Sequence, residues 1–154
     1  MNWSLRFLFL ATLLAATGCG RESVGDSHLV SGEVIYDGKP AAGVLIFFMP
    51  SQGAKVAGAP ANPHAVTDEN GRFTLSTFGE SDGAPAGNYR VVLIWPKERE
   101  ETEESPPDRL FGWYDARHTN LEVTVSPGTN ELKPFKLKAV SGPPPASEGI
   151  PGRN

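Results

Sequence analysis

The chain has 154 residues, which favours one domain with a hydrophobic core over two domains. Hydrophobic residues make up 39% of the sequence, while glycine (17) and proline (14) are abundant, a composition typical of a turn-rich globular domain and not of a disordered chain. The formal net charge of −4 argues against nucleic acid as a partner.

The first 18 residues are typical of a bacterial signal peptide. Arg6 supplies positive charge, and an apolar run from Phe7 to Ala16 follows. This run is shorter than the roughly 20 residues that cross a bilayer, but it suits the hydrophobic region of an export signal.

A single cysteine follows directly, in the motif Ala-Thr-Gly-Cys that ends at Cys19. This motif resembles the bacterial lipobox, which implies that Cys19 is acylated and becomes the anchored N-terminus of an exported envelope protein. Gly20 in place of Asp resembles lipoproteins of the outer membrane, so the outer membrane or its periplasmic face is the favoured location. The alternative is an ordinary secretory signal with an incidental cysteine.

From His28 onward the sequence has the pattern of β-structure. Alternating residues predict a strand from Val30 to Tyr36, which ends at the turn signal Asp-Gly-Lys-Pro. The apolar run Val44–Met49, closed by Pro50, predicts a strand that is buried on both faces or lies at a sheet interface. We expect these two strands to form an antiparallel pair.

The next predicted strands, residues 65–67 and 72–76, flank the sequence Asp-Glu-Asn-Gly. Asn-Gly supplies the positive φ angles of a tight turn, so this is the strongest local hairpin that the sequence predicts. Alternation from Tyr89 to Trp95 predicts a further strand, and Pro96 ends it.

Acidic residues dominate the segment Lys97–Asp108, which predicts a solvated, mobile loop. The last two predicted strands are 121–125 and 131–137, separated by a Ser-Pro-Gly turn. Residues 139–154 are rich in proline and glycine and predict a disordered tail.

About seven short strands with no amphipathic helix predict an all-β fold, an antiparallel β-sandwich over residues 28–138. Residues 19–27 then form the lipidated cysteine and a flexible tether.

Three stretches resemble the carboxypeptidase regulatory-like domains, which have a transthyretin-like (prealbumin-like) sandwich. They are Val30–Val44 (VSGEVIYDGKPAAGV), Thr67–Leu75 (TDENGRFTL) and Pro85–Leu93 (PAGNYRVVL). The resemblance covers about residues 29 to 138, and it extends to a group of small bacterial envelope lipoproteins that consist of this one domain.

Two residues of these motifs have structural explanations. Gly32 is expected to let two backbones approach, and Tyr89 to bury its ring while its hydroxyl bonds a nearby backbone group. The resemblance therefore implies architecture and location more than activity.

No catalytic residue, metal site or cofactor is predicted. His28, His64 and His118 have no ligand-like spacing, and no serine lies in a Gly-x-Ser-x-Gly elbow. Phosphate-binding loops are glycine-rich and directly precede a helix, and the sequence has no glycine cluster in such a position.

The candidate ligand-binding residues are aromatic: Phe111, Trp113 and Tyr114, with Trp95 or Phe78 as additional members. Aromatic faces stack on sugars or anchor protein partners. The alternative is that Trp113 and Tyr114 close one end of the sandwich as core residues.

Three functional hypotheses follow. The first is a non-enzymatic, lipid-anchored domain with a structural, adhesion or protein-interaction role in the envelope. The second is a carbohydrate-binding module that uses the aromatic residues, and an enzyme is the third. The expected partners are the membrane, through Cys19, and an envelope protein or polysaccharide.

Overall fold

The computed structural model describes residues 26–51, 62–97 and 107–145, and within these ranges all regular structure is β-structure. The strands are β1 (Ser27–His28), β2 (Val30–Tyr36), β3 (Lys39–Pro40), β4 (Leu45–Pro50), β5 (His64–Val66), β6 (Arg72–Thr74), β7 (Ala84–Pro85), β8 (Gly87–Ile94), β9 (Glu122–Val125), β10 (Asn130–Glu131) and β11 (Phe135–Leu137). The predicted signal peptide, Cys19, most of the acidic segment and the end of the predicted tail lie outside the described residues.

The described residues include no helix of sufficient length and apolarity to traverse a membrane.

Two sheets make up the body of the domain. In the five-stranded sheet, β3 and β6 pair with β2 in antiparallel fashion, and β10 and β11 pair with it in parallel. The second sheet has the order β5-β4-β8-β9 and is antiparallel throughout. The predicted all-β sandwich is confirmed. Its parallel pairs were not expected, because side-chain alternation is the same whichever way a neighbouring strand runs.

The core lies between these sheets and comes from alternate residues of their central strands. Val30 and Val34 of β2 are fully buried, as are Ile46 and Phe48 of β4. Tyr89 of β8 is also buried, and its hydroxyl donates a 2.9 Å hydrogen bond to the carbonyl oxygen of Pro85. The expected role of Tyr89 is therefore confirmed.

The predicted pairing of Val30–Tyr36 with Val44–Met49 is wrong, because β2 and β4 lie in different sheets. The chain turns back at Asp37 and Gly38, which both have positive φ, and pairs with β2 for only two residues. The buried Thr67 hydroxyl then donates to the carbonyl oxygen of Ala41 (2.6 Å) and accepts from the amide of Val44 (2.9 Å). These bonds hold the crossover from one sheet to the other.

The turn of the hairpin predicted at residues 65–76 forms, but beyond the turn the arms meet only at the isolated bridge between His64 and Ser76 and join different sheets. The Asp68 carboxylate accepts hydrogen bonds from the amides of Asn70 and Arg72, and Gly71 has a φ of +73°. Strand β5 pairs with β4, whereas β6 pairs with β2. The hairpin is therefore a corner that connects the two sheets.

Gly32 was expected to allow two backbones to approach, and this explanation is wrong. A Cβ atom at this position would lie 2.7 Å from Cζ of Phe73, whose ring stacks on that of Phe135 at 6.0 Å. A buried aromatic ring, and not a second backbone, occupies the space that a side chain would fill.

The direction of β2 and β8 defines two opposite ends of the sandwich. Strands β1 and β7 pair just before β2 and β8 begin, and we call this end the N-terminal pole. The last residue of β2, Tyr36, contacts Trp95, which follows the last residue of β8. Since β8 has eight residues, this opposite end lies about 25 Å away.

Gly71→Ala should destabilise the fold strongly, because Gly71 has positive φ and a Cβ there would lie 2.5 Å from the carbonyl oxygen of Val34. The matched control is Gly43→Ala, which has a φ of +76° and no atom within 4 Å of the new Cβ. We expect the control to lower the free energy of unfolding by about 1 kcal/mol and Gly71→Ala by at least about 2 kcal/mol more. Urea denaturation measures both, and equal losses would contradict the proposed backbone clash.

Candidate functional site: an aromatic surface at one end of the sandwich

The two ends of the acidic segment are brought together after strand β8. The amide of Lys97 donates to the carbonyl oxygen of Pro107 (3.0 Å), and the amide of Arg109 donates to that of Trp95 (2.7 Å). The segment is therefore closed at its base by backbone hydrogen bonds, and the chain re-enters the domain at Asp108.

The carboxylate of Asp108 organises the loop that follows. It accepts hydrogen bonds from the amides of Trp95 (2.8 Å), Leu110 (3.0 Å) and Gly112 (3.0 Å). Leu110 is fully buried, so this loop is fixed both by the core and by the carboxylate. One side chain thus joins the end of β8 to the predicted aromatic residues.

The three predicted aromatic residues differ in how far they are exposed. Phe111 and Trp113 are 38% and 37% exposed, so part of each ring is accessible to a ligand. Tyr114 packs partly buried against the core, and its carbonyl oxygen accepts a hydrogen bond from the amide of Leu93. Tyr114 therefore has the structural role that the alternative hypothesis gave to both it and Trp113.

Trp95 belongs to the same end of the domain, whereas Phe78 does not. The Trp95 ring lies edge-on to that of Tyr36 at 5.2 Å, and its indole nitrogen donates to the carbonyl oxygen of Ala42. Phe78 lies in the loop before β7, where its amide donates to Asp82. We call Tyr36, Trp95, Phe111 and Trp113 the aromatic surface.

Two cationic side chains lie over rings of the aromatic surface. The guanidinium carbon of Arg109 is 4.9 Å from the centre of the Trp95 ring, and Nζ of Lys97 is 5.9 Å from that of Phe111. Such cation–π contacts contribute about 0.5–1 kcal/mol at exposed sites, and they place positive charge over two rings of the aromatic surface.

Asp115 and His118 shape the remainder of the loop. Burial of the Asp115 carboxyl acts to raise its pKa, but hydrogen bonds from the amides of Arg117 and His118 and from the nearby imidazole outweigh it, so the pKa is lowered. The described residues contain no group of three His, Cys, Asp or Glu side chains arranged to hold a metal ion.

The segment after β11 also contacts the aromatic surface. The indole nitrogen of Trp113 donates a 2.7 Å hydrogen bond to the carbonyl oxygen of Gly142, and the amide of Val140 donates to the Tyr36 hydroxyl at 3.0 Å. Tyr36, Asp108 and Arg109 also belong to this site, although no sequence pattern predicted them. Their contacts are all long-range or loop-specific, and no periodic pattern signals them.

A separate open groove of about 910 Å³ lies along strands β2, β6 and β10. Its charged lining residues have both signs: Glu33, Asp68, Arg72, Glu131 and Lys133. None of the predicted aromatic residues borders it.

No protein-family model matches the sequence, and no curated protein matches it. Several solved structures match part of this chain at low similarity. A DUF3823 family protein from Bacteroides ovatus ATCC 8483 matches with 15% identity and a TM-score of 0.39, over 71% of this chain and 43% of its own. BcpA, the major pilin subunit of Bacillus cereus, matches with 15% identity and a TM-score of 0.43, over 73% of this chain and 29% of its own.

A 9R-lipoxygenase from Cyanothece PCC8801 matches with 14% identity and a TM-score of 0.39, over 73% of this chain and 16% of its own. The chain thus spans less than half the length of each of these proteins.

Asp108→Ala should loosen the aromatic surface, because three backbone amides lose their acceptor. We expect a loss of about 2 kcal/mol in the free energy of unfolding and faster hydrogen exchange at the amide of Gly112. Asp108→Asn keeps one acceptor oxygen and should have a smaller effect on both. Unchanged exchange at Gly112 in the alanine variant would contradict the role of the carboxylate.

Proposed function

We propose that this chain is an exported, lipid-anchored β-sandwich domain of the bacterial envelope, with a structural, adhesion or protein-interaction role and no enzymatic activity of its own. In this proposal Cys19 carries the lipid, and the aromatic surface contacts another envelope component.

This proposal is carried by one observation: the first described residues and the aromatic surface lie at opposite ends of the sandwich. The described chain begins at Asp26, at the N-terminal pole, whereas Phe111 and Trp113 lie at the opposite end. The eight residues between Cys19 and His28 span at most about 25–30 Å when fully extended. A lipid on Cys19 would therefore hold the N-terminal pole close to the membrane and direct the aromatic surface away from it.

The rigidity of the aromatic surface is a second support. Aromatic side chains contribute most to binding when they are held in place before the partner arrives, since ordering them costs free energy. The Asp108 carboxylate fixes the loop that carries Phe111 and Trp113. The site therefore has the character of a contact surface.

Carbohydrate binding is the second candidate, and the exposure of Phe111 and Trp113 favours it. Sugar rings stack on the face of an exposed aromatic side chain, so both rings are suited to this role.

Labelled fatty acid should enter the wild-type chain and be absent from Cys19→Ala, because a thioether-linked lipid requires the cysteine sulfur. Labelling is followed in bacterial cells by gel autoradiography, and the membrane fraction should lose the variant at the same time. Ser27→Ala is the matched control, since it changes a nearby small residue and leaves the cysteine in place. Equal label in wild type and Cys19→Ala would contradict the anchor.

A photo-cross-linking phenylalanine analogue at position 111 should give a discrete adduct in intact cells, because the aromatic surface faces the proposed partner. The same analogue in place of Pro127, which lies near the N-terminal pole, is the control and should not give that adduct. An adduct that a protease removes supports a protein partner. Binding to a polysaccharide array that is lost in Trp113→Ala would instead favour the carbohydrate-binding candidate.

A further inference from the structure

The short segment that follows strand β11 is bound at the aromatic surface without belonging to a sheet. Residues 139–145 pair with no strand, and the chain bends at Ser141 and Gly142. Along this segment the even-numbered residues, Val140, Gly142 and Pro144, are partly buried, while the odd-numbered residues are exposed. One side of the segment therefore faces the domain throughout.

The contacts that hold this segment are made to its backbone by aromatic side chains. The Trp113 indole donates to the carbonyl oxygen of Gly142, and the Tyr36 hydroxyl accepts from the amide of Val140. Three prolines follow directly, Pro143, Pro144 and Pro145, which fix φ near −65° and cannot donate a hydrogen bond. Such a segment is stiff, and its carbonyl oxygens stay available.

This combination matches a known way in which proteins bind extended peptides. Domains that recognise proline-rich segments use surfaces lined by aromatic residues, and the stiffness of the peptide lowers the entropy lost on binding. In this chain the aromatic lining, an indole donor and the proline-containing segment are all present on one surface.

We propose that residues 139–145 are a resident ligand of the aromatic surface, and that the partner of this surface is a proline-containing peptide segment that replaces them. This inference deepens the proposed interaction role and rests on it, but it does not depend on the lipid anchor. The resident segment occupies the surface in the free protein and lowers its apparent affinity for the partner.

The loss of apparent affinity that residues 139–145 cause can be calculated. A tethered ligand acts at an effective concentration on the order of millimolar, so a peptide of about 100 micromolar intrinsic affinity would bind about tenfold more weakly while the segment is in place. Weakening the contacts of the segment should recover that factor.

The test uses the full chain labelled with 5-fluorotryptophan and a synthetic peptide that spans residues 138–148. Val140→Pro removes the amide that donates to Tyr36, at a position outside every strand of the sandwich. The matched control is Lys138→Ala, which lies directly before the segment and has an exposed side chain. The fluorine resonance of Trp113, assigned with Trp113→Phe, reports binding at the surface.

We expect Val140→Pro to bind the peptide about tenfold more tightly than wild type, and Lys138→Ala to bind it as wild type does. Trp113→Phe added to Val140→Pro, followed through the fluorine resonance of Trp95, should abolish this gain, because the indole donor is lost while an aromatic ring remains. Equal affinities of wild type and Val140→Pro, or no saturable binding by Val140→Pro, would overturn the proposal. Fatty-acid labelling at Cys19 is independent of these variants, so its failure and the failure of this inference are distinguishable.

Discussion

Strand β2 is the element on which the rest of the structure depends, because four other strands pair with it. Strands β3 and β6 bond to one edge and β10 and β11 to the other, while Val30 and Val34 point into the core. A strand bonded on both edges leaves few backbone groups to water. The direction of β2 also decides where the domain begins and where its last strand ends, since β11 runs parallel to it. The aromatic surface and the final segment meet at the same end for this reason.

The Asp108 carboxylate is equally important at the end of the domain that carries the aromatic surface. The chain leaves β8 at Trp95 and returns at Asp108, whose side chain bonds the amide of Trp95 and two amides of the returning loop. Hydrogen bonds to an ionised acceptor are stronger than those between neutral groups, so the closure is firm. It converts a loop of exposed aromatic residues into a fixed surface, with Arg109 stacked beside it. The proposed interaction role depends on this rigidity more than on the sandwich itself.

Sequence patterns predicted the strands well and their partners less well. Alternation located β2 and β8 within one or two residues, and the motif resemblance anticipated the buried ring and hydroxyl bond of Tyr89. The same patterns gave the wrong partner for β4, because alternation reports which side chains are buried and not which edge bonds to which. They also assigned Gly32 to a close backbone contact, whereas the Phe73 ring fills that space.

By itself the sequence determined the all-β class, the positions of the turns and the candidate aromatic residues, since these follow from local preference and periodicity. It also provided the lipobox-like motif at Cys19, on which the proposed anchor rests. Only the tertiary structure decided that Tyr114 packs inward while Phe111 and Trp113 remain partly exposed. It alone brought residues 139–145, assigned from composition to a disordered tail, against Tyr36 and Trp113. The bonds involved join residues 29 and 104 positions apart, and contacts across such distances depend on how the sheets are assembled.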